Sequence, residues 1–284
     1  MIRRRRAQEP GIVVFDASCL KYLVDGLGAE KIRQNCRVAD LRVQITIPNV
    51  LEALKTENVQ VRERLIQGMQ QWLDGRPLLP WPLQILRLAA EALGRGDDDF
   101  VIRSTELEYL VFDGGASDDD HLKAKKFLER VEHDFAAAHS IESRKAFQTV
   151  LKNQLNPLRF ATAADYLEAE AALPDVLASR AAMLWDAVEL PGDPLPIGVL
   201  TQSEAWKIGM EALGLSIYYR SVRAQQQGNP AGLVDLFQLV YLSANGRKRI
   251  LVTDDRSFAE TANAILAGRY QNARVMMGAD FLSA

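Results

Sequence analysis

The hydrophobic and polar positions of this chain follow one rhythm at its two ends and another in its middle. Near the start, Gly11-Ile12-Val13-Val14-Phe15-Asp16 is a short β-branched and aromatic run that closes on an acid. Such a run predicts a buried parallel strand over residues 11 to 16, leading into a helix from Ala17. Val43 to Ile47 predicts a second strand, stopped by Pro48. Asn49 then opens a helix, with Glu52 three residues later in the capping-box position. Leu78 to Pro82 reads as a third, poor strand, followed by a helix from Leu83 to Leu93.

The rhythm then changes. Gly94 to Asp99 and Asp113 to Asp120 are turn-rich, charged breaks. From there to Leu215 the composition is helical, as in Ala161 to Leu173 and Val176 to Val188, and Pro191, Pro194 and Pro196 punctuate it. Strand–helix alternation resumes after Asn229 and Pro230, a good N-cap and first-turn pair. Gly232 to Ala244 predicts a helix, Arg249 to Thr253 a buried strand, Ser257 to Leu266 a helix and Ala273 to Met277 a last strand. The expectation is an α/β/α fold with a central parallel sheet and right-handed crossovers. Residues 11–95 and 216–284 form the discontinuous α/β domain, 96–215 an all-helical insert, and 1–10 a basic arm.

Composition narrows the context. No apolar stretch approaches the roughly 18 to 20 residues of a membrane helix. Arg3 to Arg6 could open a signal peptide, but Gln8, Glu9 and Pro10 interrupt the apolar core that should follow. Two cysteines, Cys19 and Cys36, fit a reducing cytoplasm better than a disulfide framework, and His121, His133 and His139 supply no zinc spacing with them. The net charge of −3 does not exclude nucleic acid, because an acidic centre masks local basic patches. The candidate patches are the arm, Lys123/Lys125/Lys126 and Arg247/Lys248/Arg249, each of which also reads as ordinary solvated surface.

Ligands of an open parallel sheet gather beyond the carboxyl ends of its strands. Asp16 ends the first strand, and Asp254 and Asp255 follow the Leu251-Val252-Thr253 strand. Glu52 and Asp235 each fall in the first turns of a helix starting at that edge. Carboxylates so gathered repel one another unless protonated or neutralised. Mg²⁺ or Mn²⁺, which prefer oxygen ligands and retain waters, would neutralise them. One or two such ions would activate water and screen a phosphodiester.

The arrangement resembles the PIN domain, the nuclease fold of toxin ribonucleases and of many RNA-processing enzymes. The matching segments are Val14-Phe15-Asp16-Ala17-Ser18, Ile47-Pro48-Asn49-Val50-Leu51-Glu52-Ala53-Leu54, Leu233-Val234-Asp235-Leu236 and Leu251-Val252-Thr253-Asp254-Asp255-Arg256-Ser257-Phe258. The last is the most specific: an apolar strand, Thr, any residue, Asp, and Phe three further on. The resemblance implies a metal-dependent endoribonuclease acting on single-stranded RNA. Asp16, Glu52, Asp235 and Asp255 would be the catalytic metal-site acids. Ser18, Thr253 and Asp254 would orient them. It implies no helical insert of this size; such an insert would serve as a clamp, a lid or a surface for a protein partner such as an antitoxin-like regulator. Members of the family commonly form homodimers.

Tyr218, Tyr219, Arg220, Arg223 and Arg256 are candidates for stacking bases and holding phosphates, with core packing as the rival reading for one tyrosine. Each acid also has an ordinary rival role: Glu52 in a capping box, Asp16 and Asp255 as N-caps, Asp235 at a helix dipole. A non-catalytic RNA- or protein-binding module and a small-molecule metal phosphohydrolase are the alternative functions. His133-Asp134 is too short a match for a His-Asp phosphohydrolase, and the Asp97–Asp99 and Asp118–Asp120 runs lack the ligand alternation of a calcium loop. Asp16-Ala17-Ser18 lacks the second Asp of a haloacid-dehalogenase motif.

Overall fold

The computed structural model describes residues 10–17, 19–21, 24, 29–73, 78–96, 117–119, 121–123, 125–126, 155–223, 237–243, 248–266, 269–270 and 272–283. Four parallel strands form one sheet: β1 (Gly11–Phe15), β2 (Leu41–Val43), β3 (Arg249–Thr253) and β4 (Ala273–Met277), in the order β2-β1-β3-β4. Strand residues alternate between two cores, as the two-residue period of a strand requires. Val13, Phe15, Ile250 and Val252 enter one, and Ile12, Val14, Leu251 and Val275 the other.

Helices cover both faces. On the first lie α1 (Ala29–Val38), α2 (Ile47–Lys55) and α3 (Val59–Leu73), which bury Ile32, Val50, Leu65, Met69 and Trp72. Phe15 anchors this core between Trp72, with ring centroids 6.0 Å apart, and Phe281, at 5.5 Å and nearly perpendicular. Burying an aromatic side chain of this kind contributes about 1.5–3 kcal/mol. On the second face lie α4 (Pro82–Gly94), α5 (Ala163–Ala171), α6 (Pro174–Ala187), α7 (Ile197–Leu200), α8 (Glu204–Arg223) and α9 (Arg256–Leu266). A short helix, α10 (Gly278–Ser283), follows β4 and sends Phe281 into the first core.

The described helices between 163 and 223 share one continuous core with the sheet. Tyr166, Leu184 and Trp206 belong to the same cluster as Ile12 and Leu251, and the Trp206 indole donates to the Leu86 carbonyl at 2.9 Å. A buried ion pair, Arg180 with Glu170, cross-links α6 to α5. The Arg180 guanidinium also donates to the Met210 carbonyl of α8 at 3.2 Å. Between residues 96 and 215 the described residues contain no strand.

Three local expectations change. The second strand ends at Val43, and Thr46 makes only an isolated bridge to Leu79. The expected third strand is therefore one bridge, on the side of the sheet away from β1, because the Leu79 backbone bonds Ile45 and Ile47 while Gln44 bonds Val13. The helix carrying Glu52 starts earlier than expected: its N-cap is Thr46, and Asn49, not Glu52, completes the capping box. Pro48 is compatible with a first helical turn, where its missing N–H costs nothing. Of the expected 232–244 helix, Phe237 is α-helical and Gln238–Leu242 a 3-10 turn; residues 232–236 and 244 lie outside the described residues.

Candidate functional site

The sheet's order reverses between β1 and β3, so the crevice at their carboxyl ends is its switch point. Phe15 pairs with Val252, and the Asp16 amide donates to the Val252 carbonyl at 2.8 Å. That register brings Asp16 beside Thr253, whose hydroxyl donates to Asp16 Oδ2 at 2.7 Å. Thr253 is only 1% exposed, so its hydroxyl needs a partner, and the carboxylate supplies one. The Asp16 carbonyl accepts the Leu20 amide at 2.8 Å, opening the helical turn that follows β1.

Thr253 also fixes the next turn. Its Oγ1 accepts the Asp255 amide at 3.1 Å. Asp255 Oδ1 in turn accepts the Phe258 amide at 2.9 Å, so Asp255 is the N-cap of α9. Asp254 and Asp255 are both exposed, as is Arg256 at the first position of α9.

Asp254 has a seat that the sequence did not signal. A Cβ added at Gly278 would lie 2.7 Å from Asp254 Oδ1 and 3.0 Å from Cys19 Sγ. Only a glycine lets the β4–α10 junction approach this closely. Burial pushes the Cys19 thiol well above its usual range, and Asp254 and Asp16 add to the shift as neighbouring charges. Cys36, buried among apolar groups, is pushed up to about 12 by burial.

Glu52 lies on α2, half exposed and 3.8 Å from Lys55. Its helix is held to the site by Asn49, 2% exposed, whose amide nitrogen donates to the Phe15 carbonyl at 2.8 Å. Glu52 is one turn further along the same helix face. The site thus joins Asp16, Thr253, Asp254 and Asp255 around the switch point, with Glu52 on the helix bonded to the end of β1. Asp235 and Ser18 lie outside the described residues. Among the described residues, no three His, Cys, Asp or Glu side chains group closely enough to hold a metal ion. Mg²⁺ is usually bound through one or two carboxylates, its waters and substrate phosphates. At this edge Asp254 and Asp255 are exposed just beyond Thr253, the residue bonded to Asp16, and are the described carboxylates that could take part in such binding.

The aromatic candidates fare differently. Tyr218 is buried at 5% exposure, its hydroxyl donates to the Phe160 carbonyl at 3.2 Å, and its ring lies 5.5 Å from that of Tyr166. It is a core residue and presents no face to a base. Tyr219, Arg220 and Arg223 lie on α8, their side chains outside the described set. Thr46, Asn49, Cys19 and Gly278 were not expected at the site; only the Thr46-x-x-Asn49 spacing carried a signal, that of a capping box.

Compared with family profiles, with curated proteins and with solved structures, the chain gives no match. No helix among the described residues is long and apolar enough to cross a membrane.

Proposed function

We propose that this chain is a divalent-metal-dependent ribonuclease of the PIN type, cutting single-stranded RNA at the carboxyl edge of its sheet. The observation that carries the reading is the bond between Thr253 and Asp16, which ties two sequence-distant motif segments together at the switch point. Asp16, Glu52, Asp235 and Asp255 would hold Mg²⁺ or Mn²⁺. When bound, the ion lowers the pKa of a coordinated water and screens the phosphodiester. Thr253 holds the Asp16 carboxylate in one orientation, as groups behind metal ligands do. Asp254 braces the turn that presents Asp255, and Arg256, exposed beside it, offers a phosphate contact. The described helices packed on the second face would bound the path of the RNA or receive a protein partner.

The test is cleavage of single-stranded RNA with Mn²⁺, with EDTA, and with the Asp16→Asn variant. The reading expects Mn²⁺-dependent cutting that EDTA abolishes and Asp16→Asn lowers at least about a hundredfold, roughly 2.7 kcal/mol of transition-state stabilisation. Undiminished cutting by the variant would contradict it. A second reading is a non-catalytic RNA- or protein-binding module, favoured by the structural occupations of two acids: Asp255 caps α9 and Glu52 pairs with Lys55. That module would bind RNA equally well in EDTA and cut nothing.

A further inference from the structure

Beyond the acids themselves, the described residues contain a buried polar chain linking two of the segments that carry them. The Asn49 amide nitrogen donates to the Phe15 carbonyl at 2.8 Å, one residue before Asp16. Its amide oxygen accepts both the Thr46 amide at 3.1 Å and the Thr46 hydroxyl at 2.9 Å. The Asn49 backbone amide donates back to Thr46 Oγ1 at 3.2 Å. Thr46 and Asn49 are each 2% exposed.

An ordinary capping box needs its third residue only to close a helix end against solvent. Here that residue spends its remaining donor on the carbonyl of another element, 34 residues away. A buried amide with fixed partners on both sides tolerates little displacement, because any shift leaves a buried polar group unsatisfied. The helix bearing Glu52 is therefore pinned to the strand end bearing Asp16 through one side chain.

We propose that Asn49 is a positioning residue that sets the placement of Glu52 relative to Asp16. The inference rests on the ribonuclease reading of the rim. Asn49 touches neither metal nor substrate; it acts through α2 and the end of β1. Leucine at this position keeps the volume and removes every polar contact of the side chain, whereas serine keeps a short cap and loses the link to Phe15.

The test combines Mn²⁺ titration of the full chain with crystal structures of the wild type, Asn49→Leu and Asn49→Ser. Asn49→Ser should keep its folded core and show the start of α2 shifted from β1. Its Mn²⁺ affinity should fall at least about tenfold. Affinity unchanged in Asn49→Ser and Asn49→Leu, with or without a shift of α2, overturns the inference while leaving the ribonuclease reading intact. A fall in affinity with α2 unmoved also overturns it, since the effect would then not act through position. Wild-type protein that binds no Mn²⁺ instead removes the reading on which the inference rests, and the inference with it. If Asn49→Leu does not fold, the serine variant still decides.

Discussion

The Thr253 hydroxyl donates to the Asp16 carboxylate at 2.7 Å although 237 positions separate the two residues in the chain. The bond is possible because β1 and β3 are parallel neighbours whose register sets Phe15 beside Val252, so the residues that follow each strand meet at the same edge. One hydroxyl then serves two purposes, orienting Asp16 and receiving the Asp255 amide.

Removing that hydroxyl should damage activity more than stability. Thr253→Val keeps the β-branched shape in a buried strand but leaves Asp16 Oδ2 without this donor. A hydrogen bond to a charged group contributes about 1.5–3 kcal/mol. The variant should unfold at lower denaturant by that order and lose Mn²⁺-dependent RNA cleavage, while Thr253→Ser should recover most of both. Urea unfolding and the cleavage assay together check this.

The close approach at Gly278 makes a separate prediction. A methyl group there would press on Asp254 Oδ1 and Cys19 Sγ. Gly278→Ala should destabilise by about 1–3 kcal/mol. Replacing Cys19 by alanine in the same chain should relieve part of the loss, because one of the two crowded atoms is gone. A double-mutant cycle measured by thermal unfolding gives the coupling.

Stability should decline in alkaline solution. Cys36 is pushed up from 9.0 to about 12 by burial, and Cys19 is shifted the same way. The folded state therefore retains thiol protons that the unfolded chain releases above about pH 9. This contribution is fully present below the unfolded value and is lost as pH rises toward 12. Each thiol adds at most about 1.4 kcal/mol per pH unit to the slope. Cys36→Ala should flatten the decline between pH 9 and 11, measured by denaturant unfolding at each pH.

The Arg180–Glu170 pair lies wholly inside the helical side of the molecule. Burial holds the guanidinium down to about 10, and α8 passes so close that a Cβ at Gly214 would collide with it. Breaking such a pair by removing one partner costs about 3–5 kcal/mol, whereas replacing both with apolar groups is often neutral or better. Arg180→Met should therefore lower the melting temperature sharply, and the further change Glu170→Leu should restore most of it.

How much of this was readable in the chain depends on the range of the interactions involved. β3 and β4 have the bounds their apolar runs suggested; β3 is almost wholly buried, as a continuous apolar run requires, while β4, at the end of the strand order, buries only Val275. The acids that follow β1 and β3 were legible for the same reason: strand ends fix where a side chain emerges. The start of α2 was misread because Asn and Thr are both good N-caps, and only the tertiary bond from Asn49 to Phe15 decides between them. Tyr218 beside arginines looked like a stacking surface, yet Phe160 and Tyr166, more than fifty positions away, enclose it. Gly278 and Cys19 carried no local signal, since their role consists of contact with Asp254 across three elements.

The central claim is that the carboxylates at the switch point share a divalent cation. The most direct measurement is anomalous diffraction from a crystal of the wild-type protein soaked in Mn²⁺. The account predicts an anomalous peak bounded by Asp16 and at least one of Glu52, Asp235 and Asp255, absent from an Asp16→Asn crystal treated alike. A fully soaked wild-type crystal with no peak at that edge, or with manganese bound only elsewhere, would contradict it.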